Sequence, residues 1–100
     1  MIALVAVLKI KPGMEGKVAQ ASLKMAEAVS KNEKECLLYE PYIPLEESGE
    51  LYILEKYTSI EALETHRHTN HYLEFKEAVK DSVEGPTQVT LLKSVNKKTI

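Results

Sequence analysis

Cysteine and arginine are nearly absent from this 100-residue sequence, and each absence excludes a class of protein. Cys36 stands alone, so no disulfide can form within the chain and no cysteine metal cluster is present. Arg67 is the one arginine among 13 basic residues, which stand against 15 acidic ones. A net charge of −2 is the opposite of the basic footprint of a nucleic-acid-binding domain. We therefore expect no nucleic-acid partner.

Long hydrophobic runs and nucleotide-binding motifs are also missing. The apolar segment 1–8 is too short to span a bilayer, and it has neither a basic region before it nor a small-residue cleavage site after it. No glycine-rich phosphate loop, dinucleotide-binding fingerprint or serine nucleophile motif occurs. The sequence has 44% hydrophobic and 28% charged residues, which is typical of a folded globular chain. We expect a cytoplasmic protein with no membrane partner, no cofactor and no metal.

Hydrophobic periodicity predicts four strands and two helical regions. An apolar run that ends before Pro12-Gly13 is typical of a buried strand, and the three-to-four-residue spacing that begins at Met14 is typical of an amphipathic helix. Thr58 is expected to cap the second helical region, and Asn70 to cap its continuation after a break. The predicted strands cover 2–10, 36–43, 50–58 and 87–95, and the predicted helical regions cover 14–32 and 58–79.

The order β-α-β-β-α-β predicts a ferredoxin-like α+β fold, in which an antiparallel four-stranded sheet carries both helices on one face. Right-handed crossovers leave few alternatives. We assign residues 1–96 to a single domain and residues 97–100 to a short C-terminal tail.

The first strand predicts a homodimer, because it is apolar on both of its faces. A half-solvated antiparallel strand alternates apolar and polar residues. Here one face carries Ile2, Leu4, Ala6 and Leu8, and the other carries Ala3, Val5 and Val7. Two helices cover only one face of the sheet, so a second copy of the chain is the simplest cover for the other. The alternative is a monomer with an exposed hydrophobic face, which is rare.

Two polar residues of the third strand are candidates for chemistry. Glu55 and Tyr57 lie two positions apart, so their side chains share one face of the sheet. If that face meets the helices, a carboxylate and a phenol lie beside the core. The alternatives are a solvated strand end for Glu55 and a satisfied core aromatic for Tyr57.

Two histidines of the helical region are the other candidates. His66 and His71 are five residues apart, whereas helical zinc-binding histidines are spaced by four, so a general base fits better than a metal ligand. A hydrogen-bonded structural role for His66 and a surface position for His71 stay open.

Short motifs in the expected order resemble the antibiotic biosynthesis monooxygenase family over nearly the whole chain. That family has a C-x-x-Y strand, a Y-E-x-W strand and a helix that reads L-x-x-H, followed by a second histidine. The matching segments here are Cys36–Glu40, Leu54–Tyr57, Ala62–His66 and His71–Phe75. The resemblance implies a dimeric α/β barrel and a cofactor-independent monooxygenase, which acts on a small phenolic or quinol-type aromatic and O2.

The resemblance also implies roles for particular residues. His66 would accept the substrate proton, and Glu55 would orient it by accepting a hydrogen bond from its other ring nitrogen. Tyr57 stands where the family has tryptophan, which removes any role that needs the indole. Four aromatic residues would wall the pocket and two polar residues would contact the substrate at its rim: Tyr39, Tyr57, Tyr72 and Phe75, and Asn70 and His71.

Three other functions on the same fold stay in view. Haem degradation fits poorly, since the first strand has no asparagine and no histidine follows Phe75 in the second helical region. An isomerase of a phosphorylated autoinducer sugar is similar in Thr69–Tyr72, and its phosphate would need Lys56 or Arg67. The third is a non-catalytic dimeric module that binds small molecules. Convergence of Glu55 and His66 beside an open pocket would favour an enzyme.

Overall fold

Seven elements follow one another in the computed structural model, which describes residues 1–96: β1 (Ile2–Lys9), α1 (Glu15–Asn32), β2 (Cys36–Tyr42), β3 (Glu50–Tyr57), α2 (Ile60–His66), α3 (Asn70–Val79) and β4 (Gln88–Leu92). The predicted order is confirmed, with the second helical region divided into α2 and α3. The predicted tail, 97–100, lies outside the described residues. Within residues 1–96, no helix combines the length and the apolar character needed to cross a membrane.

The strands form one antiparallel sheet in the order β2-β3-β1-β4, which confirms the ferredoxin-like fold. Alternation along the two central strands decides which side chains meet the helices. The buried set consists of Leu4, Ala6 and Leu8 from β1 and Leu51, Ile53, Glu55 and Tyr57 from β3. Helix α1 packs against β2 and α3, and α2 packs against β3. The core therefore lies on the helix side of the sheet.

Both predicted helix caps were wrong by one residue. Ser59, and not Thr58, caps α2 by accepting a hydrogen bond from the backbone N–H of Ala62 (3.1 Å). Thr58 still belongs to the preceding extended segment, because its N–H donates to the carbonyl of Glu35 (3.0 Å). Helix α2 therefore begins one residue later than predicted. It ends at His66.

The connection between α2 and α3 is fixed by one threonine. Thr69, and not Asn70, caps α3 by accepting from the N–H of Tyr72 (3.2 Å). The Thr69 hydroxyl also donates to the carbonyl of His66 (2.8 Å). One side chain thus bonds to the end of α2 and to the start of α3, which holds the two candidate histidines at the facing ends of these helices.

Strand β4 is shorter than predicted and leaves part of the sheet uncovered. Val89 and Leu91 pair with Ala6 and Leu4 of β1, so their side chains point to the helix side. Yet they are 45% and 52% exposed, because the helices pack over the other edge of the sheet. A cleft therefore opens between β4 and the helices.

Candidate functional site

The imidazole of His66 lies at the centre of a group of aromatic rings between the sheet and the helices. Its side chain is 3% exposed. The ring centroids of Tyr72, Tyr57 and Tyr39 lie 5.3, 5.4 and 5.6 Å from its own. These contacts hold the ring in one orientation inside a largely apolar shell.

The carboxylate of Glu33 accepts hydrogen bonds from both candidate histidines. Glu33 is the C-cap residue of α1, and its two oxygens lie 2.9 and 3.0 Å from Nδ1 of His66. One of these oxygens also lies 2.5 Å from Nε2 of His71. The side chains of His66, Glu33 and His71 are 3%, 10% and 16% exposed, so the group runs from the interior towards solvent.

The Glu33 contact determines which nitrogen of His66 can act as a base. A carboxylate accepts hydrogen bonds but does not donate them, so Nδ1 of His66 donates to it. In the neutral imidazole Nε2 is then the unprotonated nitrogen. Burial lowers the pKa of His66, and the contact with Glu33 opposes this only in part. The neutral ring with a free acceptor at Nε2 is therefore favoured near neutral pH.

Glu55 lies on the other side of the His66 ring. It projects from β3 to the helix side, which removes the alternative of a solvated strand end. Its Oε1 accepts a hydrogen bond from the Tyr57 hydroxyl (2.6 Å) and lies 3.9 Å from Nε2 of His66. Burial raises the pKa of Glu55 to about 7, although the Tyr57 bond opposes the rise. The carboxyl is thus poised between its neutral and its ionised form near pH 7.

A cavity of about 300 Å³ opens beside these two groups. Its floor is the helix side of the sheet, its roof is α2 and α3, and Val89 of β4 lies on its open side. This volume is at the small end of ligand-binding pockets. Glu55 and His66 both line it, so a carboxyl and an imidazole converge on one small, largely apolar space.

Most of the predicted substrate-binding residues lie in or beside this cavity. Tyr39, Tyr72 and Phe75 line it, whereas Tyr57 is fully buried behind Glu55. Asn70 is exposed at the start of α3 and is not among the lining residues. His71 faces Glu33 and lines a separate, smaller cavity between α1 and α3.

Sequence reasoning missed Glu33, which holds the position against the second ring nitrogen of His66 that was expected of Glu55. Glu33 stands in a run of three charged residues with Lys34 and Glu35, and no local pattern separates it from its neighbours. Its partners are 33 and 38 residues away. Lys76 was also missed, although it follows the candidate Tyr72 by four residues and so shares its helix face.

Among residues 1–96, Glu33, His66 and His71 are the group whose donor atoms could hold a metal ion, since one atom from each lies within 4.8 Å of the others. Two imidazoles and a carboxylate suit several divalent transition metals. The observed separations are those of hydrogen bonds. We interpret the group as a carboxylate that accepts hydrogen bonds from two imidazoles.

Comparisons with known proteins agree on one family. The family model of the antibiotic biosynthesis monooxygenases matches residues 1–78. A Caulobacter crescentus protein described as a candidate antibiotic biosynthesis monooxygenase is 29% identical, with a TM-score of 0.88 over 95% of this chain and 90% of that one. Rv0793 of Mycobacterium tuberculosis is 27% identical, with a TM-score of 0.85 over 96% of both chains.

A more distant relative supports the fold alone. A protein of Nitrosomonas europaea is 16% identical, with a TM-score of 0.90 over 96% of this chain and all of that one. No curated protein matches the sequence.

Removing the Glu33 carboxylate is expected to destabilise the fold. In Glu33→Ala, Nδ1 of the buried His66 loses its acceptor, and the free energy of unfolding should fall by about 1–3 kcal/mol. Urea denaturation measures this change. Glu35→Ala is the matched control, since Glu35 is exposed two residues further on, and its effect should stay within about 0.5 kcal/mol. Equal losses in the two variants would contradict the assignment.

The stability of the protein should depend on pH through Glu55. Its pKa of about 7 in the folded state lies above the value of 4.5 expected for an unfolded chain, so the folded state holds the proton more tightly. The stabilisation is complete below the unfolded pKa and is lost as the pH rises through about 7.

The Glu55→Gln variant isolates this effect, because the amide does not titrate and its oxygen can still accept from Tyr57. Between about pH 5 and about pH 8, the free energy of unfolding of the native protein should fall by about 2 kcal/mol relative to the variant. Urea denaturation of both proteins across this range measures the difference. Parallel curves would show that the Glu55 carboxyl has an ordinary pKa.

Proposed function

Because this chain belongs to the antibiotic biosynthesis monooxygenase family, we propose that it is a cofactor-independent monooxygenase of small phenolic or quinol-type aromatics. One observation carries the proposal. Nε2 of His66 forms no hydrogen bond within residues 1–96, and it lies 3.9 Å from Glu55 at the wall of a cavity about the size of a small aromatic ligand.

The geometry gives a substrate hydroxyl a defined place. Nε2 of His66 and Oε1 of Glu55 lie 3.9 Å apart, so one substrate oxygen can lie about 2.8 Å from both atoms. A phenol oxygen in that position donates its proton to Nε2 of His66 and accepts a hydrogen bond from the protonated form of the Glu55 carboxyl, whose pKa is raised to about 7. Tyr39, Tyr72 and Phe75 then pack against the ring and keep water away from it.

The proposed reaction needs no oxidant other than O2. Loss of the hydroxyl proton to His66 gives an electron-rich phenolate, which passes one electron to O2. The resulting phenoxyl radical and superoxide combine at a ring carbon. The peroxide oxygen takes back the proton held by His66, the C–H bond at that carbon and the O–O bond then break, and the proton released from carbon joins the departing hydroxide to give water. The sum is phenol plus O2 to quinone plus water.

Within this mechanism Glu33 is a positioning residue. It keeps the proton of the neutral His66 ring on Nδ1, so that Nε2 stays free, and it stabilises the imidazolium that forms when His66 accepts the substrate proton. His71 shares the same carboxylate and lies nearer to solvent.

We also propose that the protein is a homodimer that pairs through the outer face of the sheet. The outward side chains of the central strands are apolar and only half-buried, among them Val5 and Val7 of β1 and Leu54 of β3. Leu92 of β4 extends this surface and is 43% exposed. Monomeric proteins rarely expose so large an apolar face.

Oxygen uptake tests the proposed reaction. With a panel of quinols and polyphenols and a metal chelator present, we expect uptake that falls at least about 100-fold in His66→Gln. His68→Gln is the matched control, because His68 is exposed at the same turn. With isotopically labelled O2, one labelled atom should enter the product and no hydrogen peroxide should accumulate.

The same assay has an outcome that overturns the proposal. Uptake no faster than the uncatalysed rate on every substrate, or uptake that is equal in the native protein and in His66→Gln, would favour the isomerase or the non-catalytic binding module.

Light scattering tests the dimer. The native protein is expected at twice the chain mass of 11.2 kDa. Leu54→Lys should lower that mass towards the monomer value, because it places a charge on the outer face opposite Val5. Ile60→Lys is the control, since Ile60 is exposed on α2. A monomeric native protein, or a dimer whose mass is unchanged by Leu54→Lys, would refute this interface.

A further inference from the structure

The cavity beside His66 is more positive than the chain as a whole. The chain has a net charge of −2, yet the cavity is lined by two cations, Arg67 and Lys76, and by one acid, Glu55. Burial keeps the Glu55 carboxyl partly neutral near pH 7. The proposed reaction gives no use to a pair of cations at this place, because its base and its acid are His66 and Glu55.

Lys76 is held at the mouth of the cavity by its contact with an aromatic wall. Its ammonium lies 5.9 Å from the ring centroid of Tyr72, one helical turn earlier in α3. Within residues 1–96 no carboxylate forms an ion pair with it. Its hydrogen-bond donors are available to a ligand.

Arg67 follows His66 directly and reaches the same cavity. Its Nη1 lies 3.4 Å from Glu64, which is a long contact on the surface. A guanidinium has five N–H donors in a planar fork, so this single contact leaves most of them free. The guanidinium also lies near enough to influence both Glu55 and His66. Arg67 lines the cavity from the partly exposed C-terminal end of α2, where its guanidinium can reach a carboxylate.

We propose that this cavity selects aromatic substrates that carry a carboxylate on the ring remote from the reacting hydroxyl, with Lys76 and Arg67 as the anchors of that carboxylate. The reacting hydroxyl rests on the proposed function, whereas the anion anchor does not. The proposed hydroxyl position lies between His66 and Glu55, the Lys76 ammonium lies 5.9 Å from the Tyr72 ring that contacts His66, and Arg67 lines the same cavity. A bicyclic acid spans the two ends, with its apolar body against Tyr72 and Phe75.

The positive charges of Lys76 and Arg67 explain why a carboxylate on the substrate would favour its binding. A charge-assisted bond from an ammonium or guanidinium to a carboxylate is about twice as strong as a neutral one. A neutral aromatic of the same shape leaves both cations with water alone. The substrate carboxylate also fixes which end of the ring system meets His66, and orientation of the reacting atoms is a large part of what a site without a cofactor can supply.

Binding under anaerobic conditions tests the anchor without any turnover. The probes are 6-hydroxy-2-naphthoate and its neutral isostere 6-hydroxy-2-naphthamide, and calorimetry gives the Kd of each. We expect the carboxylate to bind about tenfold tighter than the amide to the native protein. Lys76→Gln and Arg67→Gln should each weaken carboxylate binding several-fold and leave amide binding within about twofold. Lys80→Gln, at the end of the same helix, is the matched control and should change neither.

Three outcomes would overturn the proposal. Equal Kd values for the two probes, or equal effects of the Lys76 and Lys80 changes, would mean that no anion anchor exists, and oxygen uptake on neutral quinols would still support the proposed function. Conversely, carboxylate binding that depends on Lys76 and Arg67 in a protein without oxygen uptake would support the anchor and refute the proposed function. Tighter binding of ribose 5-phosphate than of the naphthoate, lost in the same variants, would assign the cations to a sugar phosphate instead.

Discussion

A carboxylate that accepts hydrogen bonds from two imidazoles joins three helix ends in this fold. Glu33 ends α1, His66 ends α2 and His71 lies in the first turn of α3. These residues are far apart in sequence, and their hydrogen bonds link all three helices through the one carboxylate of Glu33. A buried acceptor for His66 also satisfies a nitrogen whose desolvation would otherwise oppose folding. The packing of the helices and the orientation of the candidate base thus depend on the same contact.

The sheet supplies the opposite wall of the site through a strict two-residue alternation. In β3, the residues that face the helices are Leu51, Ile53, Glu55 and Tyr57. The carboxyl of Glu55 is therefore buried on the same face as the two apolar side chains before it. The helix side offers it little water, and its pKa rises to about 7 for that reason. Tyr57 then serves as a hydrogen-bond donor to Glu55 and completes a polar pair inside an apolar layer. Burial, more than any neighbouring charge, sets the chemistry of both titratable groups at the cavity.

The fold and part of the site could be predicted from the sequence. Periodicity located every strand and both helical regions, and the shared face of Glu55 and Tyr57 followed from the geometry of a strand. The caps at Thr58 and Asn70 were misplaced because Thr58 and Ser59, like Thr69 and Asn70, are adjacent residues that both suit an N-cap, and the end of the preceding segment decides between them. Glu33 could not be found at all. Its role arises from contacts across more than 30 residues, and in the sequence it is one acid in a charged run.

Many sites use the same residues to contact the ligand and to stabilise the core. In this fold the exposed strand β4 lines the cavity and contributes little to the core. The groups proposed for proton transfer lie on β3 and α2 and are buried, whereas the cavity lining on its open side is Pro86, Thr87 and Val89, which lie outside the buried core. Changes to that wall can reshape the space offered to a ligand without touching the carboxylate that aligns the helices. Substitutions at this edge can therefore change which ligands fit the cavity, while the buried residues that stabilise the fold and carry the proposed chemistry stay unchanged.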